Sequence, residues 1–87
     1  MTQTALAFDR PSYPDLGYEY GTQKRKMYDR LQYGPCTNTD FVTLDKCWKY
    51  TNRVSEIRHD LEAHGWTIRA ERLYDGLFEY HLERRSL

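Results

Sequence analysis

The chain has 87 residues, with 13 basic and 13 acidic side chains and therefore no formal net charge. This length allows one small domain, and the balanced charge weakens the case for nucleic-acid binding, since domains of that kind are usually basic. No apolar run approaches the roughly 20 residues of a membrane-spanning helix, and the first residues lack the features of a secretory signal, so we expect a cytoplasmic protein with no membrane contact.

Residues 1–21 read as an irregular N-terminal arm, and residues 22–87 as the domain that follows it. The arm contains Pro11, Pro14 and Gly17 and shows no periodicity. An arm that becomes ordered only on a partner is one interpretation. Its apolar side chains are too many for a solvated tail, however, and we expect part of the arm to pack on the domain through some of these residues: Leu6, Phe8, Tyr13, Leu16, Tyr18 and Tyr20.

A first helix is predicted over residues 23–33. Thr22 can cap its start, Met27 and Leu31 lie four residues apart on one face, and a Gly-Pro pair ends it. The basic run 24–26 in its first turn is either a solvated face or a phosphate-facing one.

A second, short helix is predicted over residues 38–45. Thr37 and Asp40 have the spacing of a capping box at its start. Residues 46–50 then form a compact connector to the next helix, and we expect Trp48 to anchor this connector in the core.

The central helix is predicted over residues 52–65. Thr51 or Asn52 can cap its start, and Gly65 fits the left-handed position just past its end. Apolar side chains at helical spacing indicate the buried face, which consists of Val54, Ile57 and Leu61. The opposite face is polar and is therefore free for a partner; it carries Asn52, Ser55, Glu56 and His59.

A β-hairpin is predicted at the C-terminal end, with strands over residues 66–73 and 77–82. Asp75-Gly76 is a strong turn signal between them. A two-residue loop would put the apolar residues of the two strands on opposite faces, whereas a three-residue loop over residues 74–76 puts them on one face. We therefore predict the three-residue loop, with Gly76 at positive φ. The cross-strand pairs that follow are Ile68 with Leu82, Ala70 with Tyr80 and, at a mild electrostatic cost, Glu71 with Glu79.

Neither a metal site nor a catalytic site is expected. Cys36 and Cys47 are too far apart in sequence for a zinc clip and are best interpreted as small buried side chains in a reducing compartment. His59 and His64 lie about 140° apart around their helix and cannot share a metal ion. Because there is also no nucleophile elbow, phosphate-binding loop or buried carboxylate pair, we expect a protein without a cofactor that is not an enzyme.

The order of elements is helix, extended segment, helix, helix, hairpin. Three segments of the sequence mark this order of elements. They are Gly-Pro-Cys-Thr at 34–37, Arg-Val-Ser-Glu-Ile-Arg at 53–58 and Gly-Trp-Thr-Ile at 65–68. Together they resemble the small winged helix-turn-helix domains of bacteriophage and prophage genomes over residues 22–82. The resemblance implies an α+β fold of three helices plus a two-stranded C-terminal β-hairpin wing.

The function that the resemblance implies is DNA binding through helix 52–65 and the wing 66–83, as a small transcriptional regulator or architectural factor in the host-cell cytoplasm. The helix would lie in the major groove of double-stranded DNA, where Asn52 can read adenine and Glu56 can accept a hydrogen bond from cytosine. A homodimer is expected because one weakly basic helix contacts few phosphates. The candidate contacts are Lys46, Lys49, Tyr50, Thr51, Asn52, Arg53, Ser55, Glu56, Arg58, His59, Arg72 and Tyr74.

A protein–protein interaction module on the same fold is the alternative function. A phage protein that binds and inhibits a host machine would be one example. The neutral charge, the acidic arm, the eight tyrosines and the apolar pair Leu73 and Leu77 at the hairpin tip all fit this interpretation.

Overall fold

The computed structural model describes residues 13–85, so the expectations for residues 1–12 of the arm, including Leu6 and Phe8, and for residues 86–87 lie outside the described range. Within that range the chain is an α+β domain of three helices and a three-stranded antiparallel sheet. The elements are α1 (Gln23–Tyr33), β1 (Cys36–Thr37), α2 (Asn38–Thr43), α3 (Tyr50–Glu62), β2 (Trp66–Tyr74) and β3 (Leu77–Arg84). The hairpin was predicted to have two strands, but β1 pairs with β3 and extends it to the order β1-β3-β2.

Side-chain caps set the starts of the first two helices, as predicted. Thr22 accepts a hydrogen bond from the backbone N–H of Arg25 at the start of α1. Thr37 and Asp40 form both hydrogen bonds of the capping box at the start of α2. Helix α2 ends at Thr43, two residues earlier than predicted.

Helix α3 begins two residues earlier than predicted, at Tyr50. Thr51 and Asn52 therefore lie in its first turn, and the prediction that one of them caps the helix is wrong. The N-cap is Lys49, which makes no side-chain cap hydrogen bond among residues 13–85. Past the other end, Gly65 has a φ of 81°, the left-handed value expected there.

The connector between α2 and α3 is anchored by Cys47. Its side chain is fully buried, and its backbone N–H donates to the carbonyl of Phe41 at 2.9 Å. Trp48 is 77% exposed, so the prediction that it anchors the connector is wrong. Lys46 adopts a positive φ of 56°, which turns the chain so that the residue after it, rather than Trp48, enters the core.

The hairpin has the predicted register but a different turn. Tyr74 pairs with Leu77, so the loop holds only residues 75–76, and the extra residue is a bulge at Leu73. The bulge adds one residue to β2, just as the predicted loop would have added one residue to the turn. The cross-strand pairs beyond the bulge are therefore the predicted ones. Gly76 has the predicted positive φ, at 75°. The confirmed pairs are Ile68 with Leu82, Ala70 with Tyr80 and Glu71 with Glu79.

The core lies between the three helices and one face of the sheet. Full burial of each large apolar side chain contributes about 1.5–3 kcal/mol. Cys36 and Cys47 are both buried, as expected. Ala70, by contrast, is exposed although it lies on the core side by register. The largest fully buried side chains are Phe41, Met27, Leu31, Ile57, Leu61 and Cys47.

Part of the arm packs on the domain, which confirms that expectation for residues 13–18. Tyr13, Leu16 and Tyr18 lie against the core. The Tyr18 hydroxyl donates to Asp60 Oδ2 of α3 at 2.6 Å, and the Tyr13 ring lies 4.9 Å from that of Trp66. Tyr20, in contrast, is 84% exposed.

Among residues 13–85 no helix is both long enough and apolar enough to cross a membrane.

Candidate functional site

The outward face of α3 is a polar surface that is open to a partner. Its three buried side chains turn towards the core, and the residues predicted for the opposite face are all exposed. A single helical face therefore carries an amide, two hydroxyls, a carboxylate and an imidazole. The exposed side chains are those of Thr51, Asn52, Ser55, Glu56 and His59.

Glu56 and Arg53 are joined in an ion-pair cluster that also includes Lys24 of α1. The two cations lie 3.2 Å (Arg53 Nη1) and 3.3 Å (Lys24 Nζ) from Glu56 Oε1. Desolvation alone would raise the pKa of Glu56, but the hydrogen bonds and charges of Lys24 and Arg53 outweigh it and lower that pKa. The cluster thus brings Lys24, a cation of the basic run at 24–26, next to the polar face of α3.

Gln23 connects this cluster to the connector. Its Oε1 accepts from Arg53 Nε at 3.4 Å and from the thiol of Cys47 at 3.5 Å. Its Nε2 donates to the carbonyl of Lys46 at 3.4 Å. The first turn of α1 therefore fixes both the connector and the start of α3.

Arg58 joins α3 to the hairpin. Its Nε donates to the carbonyl of Ile68 at 3.0 Å, and the residue is half-buried. In this position it supports the angle between α3 and β2. Arg53, which is also half-buried, pairs with the exposed candidate Glu56 instead.

The connector presents two exposed lysines, Lys46 and Lys49, one on each side of Cys47 and Trp48. Tyr50 follows as the first residue of α3 and is half-buried. Its hydroxyl oxygen accepts from Nδ2 of Asn38 at 3.3 Å. The cationic groups of the connector therefore lie next to the start of the polar helical face.

The hairpin tip carries the two remaining candidates, Arg72 and Tyr74, both exposed. Arg72 is paired with Asp75 of the loop. Asn38 of α2 holds the tip in place, because its Nδ2 donates to the carbonyl of Gly76 at 2.9 Å. Sequence reasoning did not identify Asn38, since nothing local marks an asparagine whose partners lie about forty residues away.

A groove of about 320 Å³ separates α3 from the hairpin. Ala70 contributes no bulk to its floor, which explains why the core face of the sheet remains open there. The groove connects the polar face of α3 with the hairpin. It is lined by Tyr50, Thr51, Ser55, Arg58, Ala70 and Phe78, among others.

One group of side chains in residues 13–85 has the spacing of metal ligands. Glu71, Glu79 and His81 place one ligand atom each within 4.8 Å of one another on the outer face of the hairpin. The search of the sequence for metal ligands covered cysteines and histidines without carboxylates, and so did not find this group. Arg69 lies 3.2 Å from Glu71 Oε1 and already offsets part of the negative charge. We assign no metal to this group.

No family model, no curated protein sequence and no solved structure matches the chain. Its function has to be inferred from the residues and contacts described above.

Proposed function

We propose that this protein is a winged helix-turn-helix protein that binds double-stranded DNA, as a small transcriptional regulator or architectural factor of phage or prophage type. The observation that carries the proposal is the exposed polar face of α3, with the lysines of the connector at its start and the hairpin beside it. The sheet order β1-β3-β2, in which the strand before α2 pairs with the last strand, supports the winged-helix arrangement.

In this proposal α3 enters the major groove, which is wide enough for one helix. Asn52, Ser55 and Glu56 would meet base edges from the N-terminal half of the helix. Lys46 and Lys49 would contact phosphates beside the groove, and Arg72 and Tyr74 of the wing would contact the backbone further along. Arg53 and Lys24 would add two further cations, and Thr51, Tyr50, Arg58 and His59 would lie at the margins.

Acidic residues near the end of α3 limit the affinity of a single protein molecule for DNA. Asp60 and Glu62 lie in the last part of α3 and repel phosphates, and the chain has no net charge. A homodimer on a repeated site would double the number of phosphate contacts. The proposed function needs neither catalysis nor a cofactor, and its place would be the cytoplasm of the host cell.

A titration of the protein into fluorescently labelled random-sequence duplex DNA at 50 and 200 mM salt tests the proposal. Each neutralised phosphate contributes about −0.9 to the slope of log affinity against log salt concentration, so we expect a steep loss of affinity. Arg53→Ala should weaken binding, whereas His64→Ala, which changes an exposed residue beyond the end of α3, should not. Absence of binding at low salt would overturn the proposal. Unchanged binding by Arg53→Ala would overturn only the assignment of the contact face.

A second candidate function is a protein-interaction module, such as an inhibitor of a host machine. Several large side chains outside the polar face are exposed, including Leu44 (59%), Leu73 (38%) and Tyr74 (73%). Large apolar and aromatic side chains are common anchors in protein interfaces. A host-lysate pull-down with the parent and with Leu44→Ser would test this function if the DNA titration is negative. The interaction function would be supported if the parent captures a host protein and Leu44→Ser does not.

A further inference from the structure

Trp48 is the least expected side chain on the surface. It is 77% exposed, whereas the other tryptophan, Trp66, is 6% exposed and belongs to the core. Isolated apolar residues are normal on protein surfaces, but an indole is large and contributes strongly wherever it is buried against a partner. The exposure of Trp48 therefore points to a contact that lies outside this chain.

The outward position of Trp48 is fixed by its neighbours. The fully buried Cys47 before it is hydrogen-bonded to Phe41, and α3 begins two residues after it, at Tyr50. Lys46, at positive φ, completes the turn. The ring is thus presented by an anchored segment, so little order needs to be gained when it meets a partner.

The charges near Trp48 in the connector indicate which kind of partner the ring would meet. Lys46 and Lys49 are both exposed and lie on either side of Trp48 in the connector. A segment that presents a flat apolar ring together with two exposed cations complements a surface that alternates apolar sugars with phosphates. The start of α3, where the polar face begins, follows directly.

We propose that Trp48 packs on a deoxyribose of the DNA backbone beside the start of α3, while Lys46 and Lys49 pair with the phosphates on either side of that sugar. This inference rests on the proposed function and assigns a contact within it. Apolar packing on a sugar displaces no counterions, whereas a lysine–phosphate pair does. The two kinds of contact therefore differ in their dependence on salt.

The test compares Trp48→Ala, Trp48→Phe and Lys49→Ala with the parent in titrations of duplex DNA between 50 and 400 mM salt. Trp48→Ala should lower affinity about tenfold at every salt concentration with an unchanged slope, and Trp48→Phe should recover part of the loss. Lys49→Ala should lower affinity and reduce the slope by about 0.9. Thermal unfolding should be the same for all four proteins, since both side chains are exposed.

Fluorescence gives a second readout that does not depend on the DNA affinity of a variant. The emission of Trp48 is obtained by subtracting the spectrum of Trp48→Phe, which retains Trp66, from that of the parent. Duplex DNA should protect this emission from quenching by acrylamide. If the parent binds DNA but Trp48→Ala binds equally well, or the emission stays unprotected, the role of Trp48 is refuted and the proposed function stands. If the parent does not bind DNA, both are refuted.

Discussion

Asn38 and Phe78 lie 40 residues apart in the sequence, and Oδ1 of Asn38 accepts a hydrogen bond from the backbone N–H of Phe78 at 3.0 Å. The Nδ2 of the same amide donates to the carbonyl of Gly76 and to the hydroxyl of Tyr50. One side chain thus joins the starts of α2 and α3 to the tip of the hairpin. The position of the hairpin relative to α3 depends on this amide.

Replacement of Asn38 by Ala should lower the free energy of unfolding by about 1–3 kcal/mol, because part-buried backbone groups lose their hydrogen-bond partner. Asn38→Asp keeps the acceptor for Phe78 but loses the donor to Gly76, and should fall between Asn38→Ala and the parent. Urea denaturation followed by circular dichroism measures both effects. Asn52→Ala is the control, since Asn52 is exposed and its loss should change stability by less than about 0.5 kcal/mol. Equal stability of Asn38→Ala and the parent would refute the role of the amide as a clamp.

The elements of the fold were largely predictable because their signals are local. The Thr22 cap and the capping box of Thr37 act within three residues of the helix starts that they define. The register of the hairpin followed from the need to place the apolar residues of both strands on one face. The turn itself was not predictable, because a bulge at Leu73 and a longer loop produce the same register.

The candidate site was only partly predictable because its supports act over long sequence distances. The polar face of α3 could be read from helical periodicity alone. The roles of Asn38 and Gln23 depend on partners about 20 to 40 residues away, which no local pattern specifies. The outward position of Trp48 depends on the unusual φ of Lys46, which the sequence does not indicate.

Glu56→Gln should strengthen the binding of random-sequence DNA. In the parent, Lys24 and Arg53 both pair with Glu56, so their charges are partly neutralised before any phosphate arrives. A neutral amide of the same shape frees both cations, and we expect a several-fold gain in affinity and a salt slope steeper by about 1. The control is Glu62→Gln, which makes the same change in net charge at the far end of α3. Equal effects of the two substitutions would show that only net charge matters and that the cluster has no specific role.

Arg30 and Asp45 form an ion pair, and we expect the loss of Arg30 to destabilise the protein more than the loss of the Asp45 charge. Asp45 is 3% exposed and accepts hydrogen bonds from both Nε and Nη2 of Arg30, whose side chain is 35% exposed. Arg30→Ala leaves a buried carboxylate without its partner and should cost about 3–5 kcal/mol. Asp45→Asn leaves an arginine that water can reach and should cost only about 1–2 kcal/mol.

Urea denaturation of the two single variants and of the double variant Arg30→Ala/Asp45→Asn measures this pair. The double variant should lose less stability than the two single variants together. This is because the change at Asp45 removes the buried charge that Arg30→Ala leaves without a partner. Arg69→Ala is the control, since it breaks exposed pairs on the hairpin and should leave the free energy of unfolding nearly unchanged. Equal costs for Arg30→Ala and Asp45→Asn would contradict the asymmetry.

The packed part of the arm should make the domain sensitive to alkali. Burial, together with the smaller effects of the charges of Asp15, Tyr13 and Asp29, raises the pKa of Tyr28 to about 12. The pKa of Tyr18 is raised by burial and by its hydrogen bond to Asp60. Since both phenols have a higher pKa in the folded state than the usual value of about 10, their contribution is fully present below pH 10 and is lost as the pH rises towards 12 and above.

We expect the free energy of unfolding to fall by about 1–2 kcal/mol per buried phenol across this range, measured by urea denaturation at pH 9, 10 and 11.5. The buried thiol of Cys36, whose pKa is raised to about 11, acts in the same direction, so the contribution of Tyr28 has to be isolated by substitution. Tyr28→Phe loses the hydrogen bond to the carbonyl of Pro14 and should be less stable at pH 9, but its stability should fall less between pH 9 and 11.5. Tyr74→Phe, at the exposed hairpin tip, should follow the parent. A parallel fall in the parent and in Tyr28→Phe would show that the Tyr28 phenol does not couple the arm to pH.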